Sequence, residues 1–377
     1  AADPLNLLRL RPAKGVIFIM RARIHSNGHL IGIAAVALLA SGCSLVSSEN
    51  DGEPEATDKT VTLVAHESFA LPDELVAAFE KESGYTLEIS KLEDAGALTN
   101  QLVLTKDDPV GDVVFGVDNS FATRAVDEGV FASYAPKLPA GAGKFELEGD
   151  DDDALTPIDN GNVCVNVDDA WFRKQGIPAP TSLADLTEPA YKDLFVIPGA
   201  STSSPGLAFL LATIEEYGDE WPTYWEDLVA NGAKVVKGWS DAYFTDFTFS
   251  GGDRPIVVSY DSSPAFTLNK AGTKSTTSAL LDNCFEQVEY AGVLRGDEDH
   301  ETNVAGAEAV IDWLLSPEVQ AALAPSMYVF PVADGVELPA EWATFAKRPQ
   351  GTEQVAPADI ASERKAWLEE WTEIISR

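Results

Sequence analysis

The feature that most constrains the fold of this chain is an alternation of short β-branched runs with helical patterns, which begins near Val61. VTLVAH predicts a strand, and residues Pro72 to Ser83 predict a helix that starts with proline and ends before Gly84, the residue type favoured at a left-handed cap. YTLEISKL predicts the next strand. Strands and helices that alternate at this spacing predict an α/β sheet with parallel strands and right-handed crossovers.

The same alternation predicts where a ligand would bind. Ligands of open α/β sheets lie at the carboxyl ends of strands, and Asp118 and Asn119 directly follow the predicted strand DVVFGVD. A Gly-, Pro- and acid-rich stretch at residues 139–157 interrupts the pattern, which resumes at NVCVNV as a second α/β unit and ends in helices. A length of 377 residues also favours two domains over one core.

The segment from Met20 has the three parts of a secretory signal. Two arginines precede eleven apolar residues at 30–40, too few for a membrane-spanning helix, which needs about 20. The following LASGC resembles a bacterial lipobox, which implies a diacylated Cys43 and attachment to the outer face of the cytoplasmic membrane. An ordinary signal peptide with an incidental cysteine is the alternative. We expect a leader at 1–42, a lipidated polar tether at 43–59 and an extracytoplasmic location.

The charge of the chain limits its partners. It has 26 Lys and Arg against 61 Asp and Glu, a net charge of −35, and residues 1–42 hold five basic and one acidic residue, so the remainder is more acidic still. Binding of nucleic acid or of an anionic membrane face relies on clustered basic residues, so neither is an expected partner. Membrane contact is expected only through the lipid anchor, and a cationic ligand is weakly favoured.

Cys164 and Cys284 both lie in alternating apolar runs that predict strands. Outside the cytoplasm, such a pair indicates a disulfide more than a catalytic thiol, and two buried free thiols are the alternative. After the leader only His66 and His300 remain, and neither has ligand spacing from a cysteine, so no metal site is expected.

No catalytic motif stands out. The sequence lacks G-x-S-x-G, H-E-x-x-H and the phosphate-binding G-x-x-x-x-G-K-[ST]. We therefore expect a protein that is not an enzyme and needs no cofactor.

Aromatic residues beside turns are the more informative feature. KGWSDAY and SYDSSPAF each follow a predicted strand, and Trp239 and Tyr243, four residues apart, can share one helical face. Aromatic faces attract cations, and a carboxylate such as Asp118 or Asp261 would add a charged hydrogen bond. These features fit a site for a flat, positively charged small molecule, and ordinary core packing is the alternative.

STSSPG, residues 201–206, leads directly into a predicted helix. Free N–H groups and hydroxyls at a helix start bind anions. The same residues also suit a plain N-cap followed by proline, and the pattern does not distinguish the two.

Five segments together resemble one family, the thiamine-binding substrate-binding proteins of bacterial ABC importers. They occur in the order and approximate spacing of that family: FGVDNS (115–120), STSSPGLAFLL (201–211), KGWSDAY (237–243), SYDSSPAF (259–266) and ERKAWLEEWTEIISR (363–377). The resemblance spans 61–377 and implies a type II periplasmic-binding-protein fold, with two lobes joined by crossing hinge strands. It implies lobe I at 60–157 and 257–296, and lobe II at 158–256 and 297–377.

The resemblance also implies roles for individual residues. Trp239, Tyr260 and Phe266 would enclose the pyrimidine and thiazolium rings, with Tyr243 beside them, and Asp118 would meet the cationic or amino end. Ser203, Ser204 and Gly206 would face the hydroxyethyl group or a phosphate, and His66 and Tyr328 would complete the pocket. The chain departs from the family at three of these positions, because Phe266 and His66 stand where tyrosine is frequent and Tyr328 where tryptophan is common.

The implied function is capture of thiamine or its phosphate esters by a monomer that delivers it to an ABC permease. One alternative is the same fold with another ligand, such as ferric iron, a polyamine or an organic anion. The chain has no adjacent tyrosine pair of the kind that iron binders of this fold use. A secreted α/β enzyme is the other alternative.

Overall fold

A computed structural model of the chain describes residues 59–296, 301–352 and 355–377. The strands are β1 Thr60–Ala65, β2 Thr86–Lys91, β3 Val113–Asp118, β4 Phe131–Ala132, β5 Thr156–Val167, β6 Phe195–Pro198, β7 Lys234–Val236, β8 Ile256–Tyr260, β9 Ser278–Leu294 and β10 Phe330–Pro331. The helices are α1 Asp73–Ser83, α2 Ala95–Leu104, α3 Ala122–Asp127, α4 Asp169–Gln175, α5 Ser204–Tyr217, α6 Trp221–Ala230, α7 Val304–Leu314, α8 Pro317–Met327, α9 Ala340–Phe345 and α10 Pro357–Ile375. The predicted leader, Cys43 and the tether up to residue 58 lie outside the described residues. Across the described ranges, none of the helices has both the length and the apolar character that a membrane crossing requires.

Local signals place the helix ends as the sequence predicts. Helix α1 starts directly after Pro72 and ends at Gly84, which adopts the left-handed conformation with φ 76° and donates its N–H to the carbonyl of Glu80 at 3.0 Å. Glycine adopts this conformation without the steric cost that a Cβ would bring.

The strands form one mixed sheet in the order β2-β1-β3-β9-β5-β8-β6-β7, with β4 and β10 paired at its sides. At each end of the sheet three strands pair in parallel as predicted, in the orders β2-β1-β3 and β8-β6-β7. The prediction of parallel strands is wrong in the middle, where β9 is antiparallel to both β3 and β5, and β5 is antiparallel to β8. The two long strands β5 and β9 lie side by side at the centre of the sheet, and we call them the crossing strands.

Two hydrophobic cores lie on either side of the crossing strands, and we call the elements around them the first and second lobes. The first core contains residues of β1, β3, α7 and α8, and the second contains residues of β6, β8, α5, α6 and α10. Strands β5 and β9 contribute to both, because Ile158 and Val288 are in the first core while Val163 and Phe285 are in the second.

The cores divide the chain differently from the predicted lobe boundaries. Val257 and Tyr260, expected in lobe I, pack in the second core, and helices α7 and α8, expected in lobe II, pack in the first. The cause is β9, which returns the chain to the first core just before α7, so the second and third crossings between the lobes come later in the chain than predicted.

The crossing strands are joined covalently. Cys164 of β5 and Cys284 of β9, 120 residues apart, form a disulfide. The predicted bridge is confirmed, and both cysteines are buried beside the second core.

Candidate functional site

The predicted aromatic residues of KGWSDAY and SYDSSPAF meet at the ends of strands of the second lobe. Trp239 follows β7 and enters a π-helical turn at Asp241–Asp246, so that its ring stacks on Tyr243 with centroids 5.1 Å apart and an angle of 18° between the planes. Tyr260, the last residue of β8, approaches Trp239 edge-on at 5.9 Å. The turn thus aligns Trp239 and Tyr243 on one face, as their spacing predicted.

Two further predicted rings complete the group. Tyr328 ends α8 in the left-handed conformation, with φ 66°, and its ring lies 5.6 Å from Trp239 and 5.8 Å from Tyr243. Tyr328 also stacks on Phe266 at 3.5 Å. We call Trp239, Tyr243, Tyr260, Phe266 and Tyr328 the aromatic cluster. The alternative of ordinary core packing also holds in part, because Trp239, Tyr243 and Tyr260 are buried members of the second core.

Hydroxyl groups of the SYDSSP segment fix the orientation of Trp239. The indole N–H of Trp239 donates to Ser259 Oγ at 2.9 Å, and Ser259 and Ser263 hydroxyls are hydrogen-bonded at 2.8 Å. Ser263 Oγ also accepts the backbone N–H of Tyr260 at 3.2 Å. The indole therefore has its buried donor satisfied by its own lobe, which leaves its ring faces for packing.

Asp94 links this cluster to the first lobe, and the sequence analysis missed it. One carboxylate oxygen caps α2 by accepting Ala95 N–H at 2.7 Å, and the other accepts the backbone N–H of Trp239 at 2.8 Å. An aspartate before the small residues of EDAGAL is an N-cap signal. The signal locates the helix start but carries no information about a partner 145 residues away.

Other contacts join the lobes at the same place. The N–H of Ala97 donates to the carbonyl of Thr202 at 3.1 Å, and the hydroxyls of Ser68 and Ser240 lie 3.4 Å apart. Lys237 forms an ion pair with Glu93. The aromatic cluster therefore lies against the junction of the two lobes, which are in contact here.

Asp118 lies at the end of β3, as predicted. Its Oδ1 accepts the backbone N–H groups of Ser120 at 2.6 Å and Phe121 at 3.2 Å and also bonds the Ser120 hydroxyl, whereas its Oδ2 has no hydrogen-bond partner among the described residues. Burial raises the pKa of Asp118 to about 7, against the lowering effect of the Ser120 hydrogen bonds. The free oxygen is available for a donor or a cation.

His66 lies in a row of buried ionisable groups. Its Nε2 is 3.1 Å from Glu289 Oε1, and Glu289 stands opposite Asp118 and Asp159 in the sheet register. Burial lowers the pKa of His66, but the carboxylates of Glu289, Asp94 and Glu67 together raise it overall. A Cβ at Gly116 would lie 2.1 Å from the His66 ring, so only glycine fits there. Among the described residues, the ring of His66 contacts Phe115 and none of the aromatic cluster.

Ser203 and Ser204 begin α5, and both hydroxyls are buried with no hydrogen-bond partner among the described residues. Neither side chain caps the helix, so the plain N-cap expected as one alternative is not formed. The Thr202 hydroxyl donates to the carbonyl of Lys237 at 2.6 Å, which holds this turn beside the segment that leads to Trp239. Buried hydroxyls normally have partners, so these two are candidates for ligand contact.

Gly206 allows the start of α5 to pack against the end of β6. A Cβ at this position would lie 2.5 Å from the carbonyl oxygens of both Pro198 and Gly199. Gly206 therefore positions the two serines through close backbone packing.

Asp261 is the other carboxylate considered beside the rings. It is buried and accepts the side-chain amide of Asn162 at 2.6 Å, and its Oδ2 is 3.8 Å from Arg348 Nε. Burial raises its pKa to about 6, while Asn162 and Arg348 lower it. Its partners hold it to the crossing strand β5.

The sequence and fold match known binding proteins. The model of the family described as bacterial extracellular solute-binding proteins matches residues 108–350. The thiamine-binding periplasmic protein of Salmonella typhimurium is 31% identical over 334 residues, covering 86% of this chain and 96% of that protein. Its Escherichia coli namesake is 30% identical over 330 residues, covering 86% of this chain and 96% of that protein.

The structural comparison agrees. A solved structure of a periplasmic thiamin binding protein superimposes with a TM-score of 0.71 at 29% identity, covering 84% of this chain and 96% of that one. The apo ferric ion-binding protein A of Pasteurella haemolytica, at 19% identity, has a TM-score of 0.62 over 84% of this chain and 98% of its own and shares the fold alone. With a mixed sheet, two cores and a family match over most of its described length, this chain belongs to the bacterial extracellular solute-binding protein family.

Proposed function

We propose that the chain binds thiamine or one of its phosphate esters between its lobes and delivers it to the permease of an ABC importer. The observation that carries this proposal is the aromatic cluster, in which rings from separate segments gather at the junction of the lobes. The names of the relatives, which are thiamine-binding proteins, support the same ligand.

The chemistry of the cluster suits this ligand. The thiazolium ring of thiamine is permanently cationic, and the faces of tryptophan and tyrosine attract cations by about 0.5 to 2 kcal/mol each, depending on desolvation. The pyrimidine ring is flat and can stack on the same side chains. Asp94, bonded to Trp239, and Asp118, with one free oxygen, supply negative charge near these rings.

Lobe movement would couple binding to transport. Opening the junction between Asp94 and Trp239 would separate the lobes and admit the ligand, and closing would bury it and present a changed surface to the permease. Members of an extracellular solute-binding family work outside the cytoplasm, and we propose that a lipid on Cys43 keeps this chain at the membrane and that it acts as a monomer.

Calorimetric titration with thiamine tests the proposal. We expect 1:1 binding by the wild-type chain and a loss of more than about tenfold in affinity for Trp239→Ala, because one aromatic face contributes more than about 1.4 kcal/mol when desolvated. Trp171→Ala is the matched control, since Trp171 is half-buried and its ring packs edge-on against Phe172, outside the aromatic cluster. Thermal unfolding of both variants checks that they remain folded.

Two results would contradict the proposal in different ways. Unchanged thiamine affinity in Trp239→Ala would rule out the aromatic cluster as the binding site. Absence of thiamine binding by the wild-type chain would rule out thiamine as the ligand. Titration with ferric ion, polyamines and organic anions would then test the alternative ligands. Turnover of an ester substrate would favour an enzyme.

A further inference from the structure

A cavity of about 800 Å³ lies beside the site, between the two lobes. Its first wall comes from α2 and α3 and includes Asn100, Phe121 and Arg124, and its second wall comes from α10 and includes Arg364. Ser201, in the turn before α5, closes one side. The cavity therefore adjoins the turn that carries the unpartnered hydroxyls of Ser203 and Ser204.

Two arginines line this cavity, Arg124 from the first lobe and Arg364 from the second. Arg124 and Arg364 are both half-buried. Arg124 donates to the side-chain oxygen of Asn100. Arg364 lies 5.5 Å from the centre of the Phe121 ring and makes no ion pair or hydrogen bond with another described residue. The guanidinium group is well suited to pairing with a carboxylate or a phosphate.

The surroundings make this pair unfavourable without an anion. Burial lowers the pKa of Arg364, and the nearby charge of Arg124 lowers it further, because both disfavour the charged form of the guanidinium group. The Asp118 carboxylate acts in the opposite direction. The acidic side chains of the lining, Glu369 and Glu373, are exposed, and Glu369 already lies 3.9 Å from Lys365.

We propose that this cavity binds a phosphoryl group, held between Arg124 and Arg364. Guanidinium groups bind phosphate through paired, charge-assisted hydrogen bonds, and two of them, one from each lobe, match its double negative charge. Because α3 packs its Ala122 and Ala125 in the first core and α10 packs in the second, a phosphoryl group here would also join the lobes.

The phosphoryl group has two possible sources. It belongs either to a phosphate ester of the ligand in the adjoining site or to free inorganic phosphate. The ester source rests on the proposed function, whereas the free-phosphate source does not. An ester would make Arg124 and Arg364 the residues that select phosphorylated ligands over thiamine itself.

Calorimetric titrations of the full chain with thiamine, thiamine monophosphate and inorganic phosphate, at constant ionic strength, test this inference. The variants are Arg364→Gln and Arg124→Gln, and Arg173→Gln is the matched control, since Arg173 is an exposed arginine of α4 that does not line the cavity. For the ester source, we expect the wild type to bind the monophosphate more tightly than thiamine. Each arginine variant should then lose about tenfold or more for the monophosphate and less than about twofold for thiamine.

The free-phosphate source gives a different result. Thiamine and its monophosphate would bind equally, and inorganic phosphate would bind the wild type and raise its melting temperature but would do neither in Arg364→Gln. Equal losses for thiamine and its monophosphate in both arginine variants, or no phosphate-dependent effect in any titration, would overturn the inference. If thiamine and its ester fail to bind while inorganic phosphate still binds through Arg364, the proposed function fails and the phosphate site stands.

Discussion

The carboxylate of Asp118 is satisfied on one side only. Three donors from Ser120 and Phe121 bind Oδ1, and Oδ2 has no partner among the described residues although the side chain is buried. Burial raises the pKa of Asp118 to about 7. A cation near Oδ2 would lower this pKa, because it favours the charged form. At neutral pH, binding of a cationic ligand here would therefore release a proton from a fraction of the molecules.

The raised pKa of Asp118 predicts a pH-dependent effect of Asp118→Asn on stability. An unfolded aspartate has a pKa of about 3.9, so between pH 4 and 7 the folded wild type binds more protons than the unfolded chain and loses stability as the pH rises. Asparagine keeps an acceptor for Ser120 and does not titrate. We expect the variant to gain on the order of 2 kcal/mol over the wild type between pH 5 and pH 8.

Urea unfolding of both proteins at pH 5 and pH 8 measures this difference. Asp219→Asn, at an exposed position, is the control and should show the same difference from the wild type at both pH values. An equally pH-independent result for Asp118→Asn would show that Asp118 titrates normally in the folded protein.

At the scale of elements, the start of α2 contacts the turn before α5 through bare backbone. A Cβ at Gly96 would lie 2.7 Å from the carbonyl carbon of Thr202 and 3.0 Å from its Cα, and the next residue, Ala97, donates to the Thr202 carbonyl. Because α2 belongs to the first lobe and the turn to the second, a side chain at Gly96 would keep the lobes apart at this point.

Gly96→Val is therefore expected to disfavour the closed arrangement, because its side chain would meet the Thr202 backbone and the ring of Phe121, a buried member of the second core. Valine and glycine differ little in helix preference, by roughly 0.5 kcal/mol, so the main effect is steric and falls on the junction. We expect at least about tenfold weaker thiamine binding, with a melting temperature of the ligand-free protein close to that of the wild type. Gly351→Val is the control, since no atom of the described residues, apart from the chain neighbours, lies within 4 Å of a Cβ there. Wild-type affinity in Gly96→Val would show that closure does not use this contact.

The elements differ in how far the sequence predicts them. The end of α1 at Gly84 and the start of α5 at the Ser-Pro pair depend on neighbouring residues, so local signals predict them. Strand β9 runs from Ser278 to Leu294, but only its central alternation around Cys284 was recognisable. Its antiparallel pairing with β5 depends on residues more than 100 positions away. The lobe boundaries follow from that pairing, and the sequence pattern does not contain it.

The residues of the site also differ in whether the sequence alone predicts them. Trp239, Tyr243 and Tyr260 could be predicted because they follow strands in motifs with turn residues, and the structure brings their rings together. Asp94 and Arg364 could not be predicted, because each matters only through a residue of the other lobe. Asp94 bonds to Trp239, and Arg364 lies near the charge of Arg124. Contacts across the junction arise only when the whole chain is folded.

For the whole molecule, the crossing strands determine how the two lobes are connected. The pairing of β5 with β9 shifts register between Val163 and Val165, and Cys164 lies at this irregularity. The ladder of hydrogen bonds is interrupted where a register shift occurs. The disulfide from Cys164 to Cys284 joins the strands at this interruption, so a covalent bond holds the pair together where backbone hydrogen bonding is incomplete.

Removing this bridge is expected to destabilise the whole chain more than it weakens ligand binding. Closing a loop of 120 residues reduces the entropy of the unfolded chain, and loss of such a disulfide costs about 2 to 5 kcal/mol. In a Cys43→Ser background, which leaves only the two bridged cysteines, Cys164→Ala with Cys284→Ala should lower the free energy of unfolding by this amount. A reductant should lower the stability of the background protein similarly and leave the double variant unchanged, since only the former has a disulfide to reduce. Two free thiols in the denatured, unreduced background protein, together with no effect of the reductant, would instead show that the strands hold their register through packing alone.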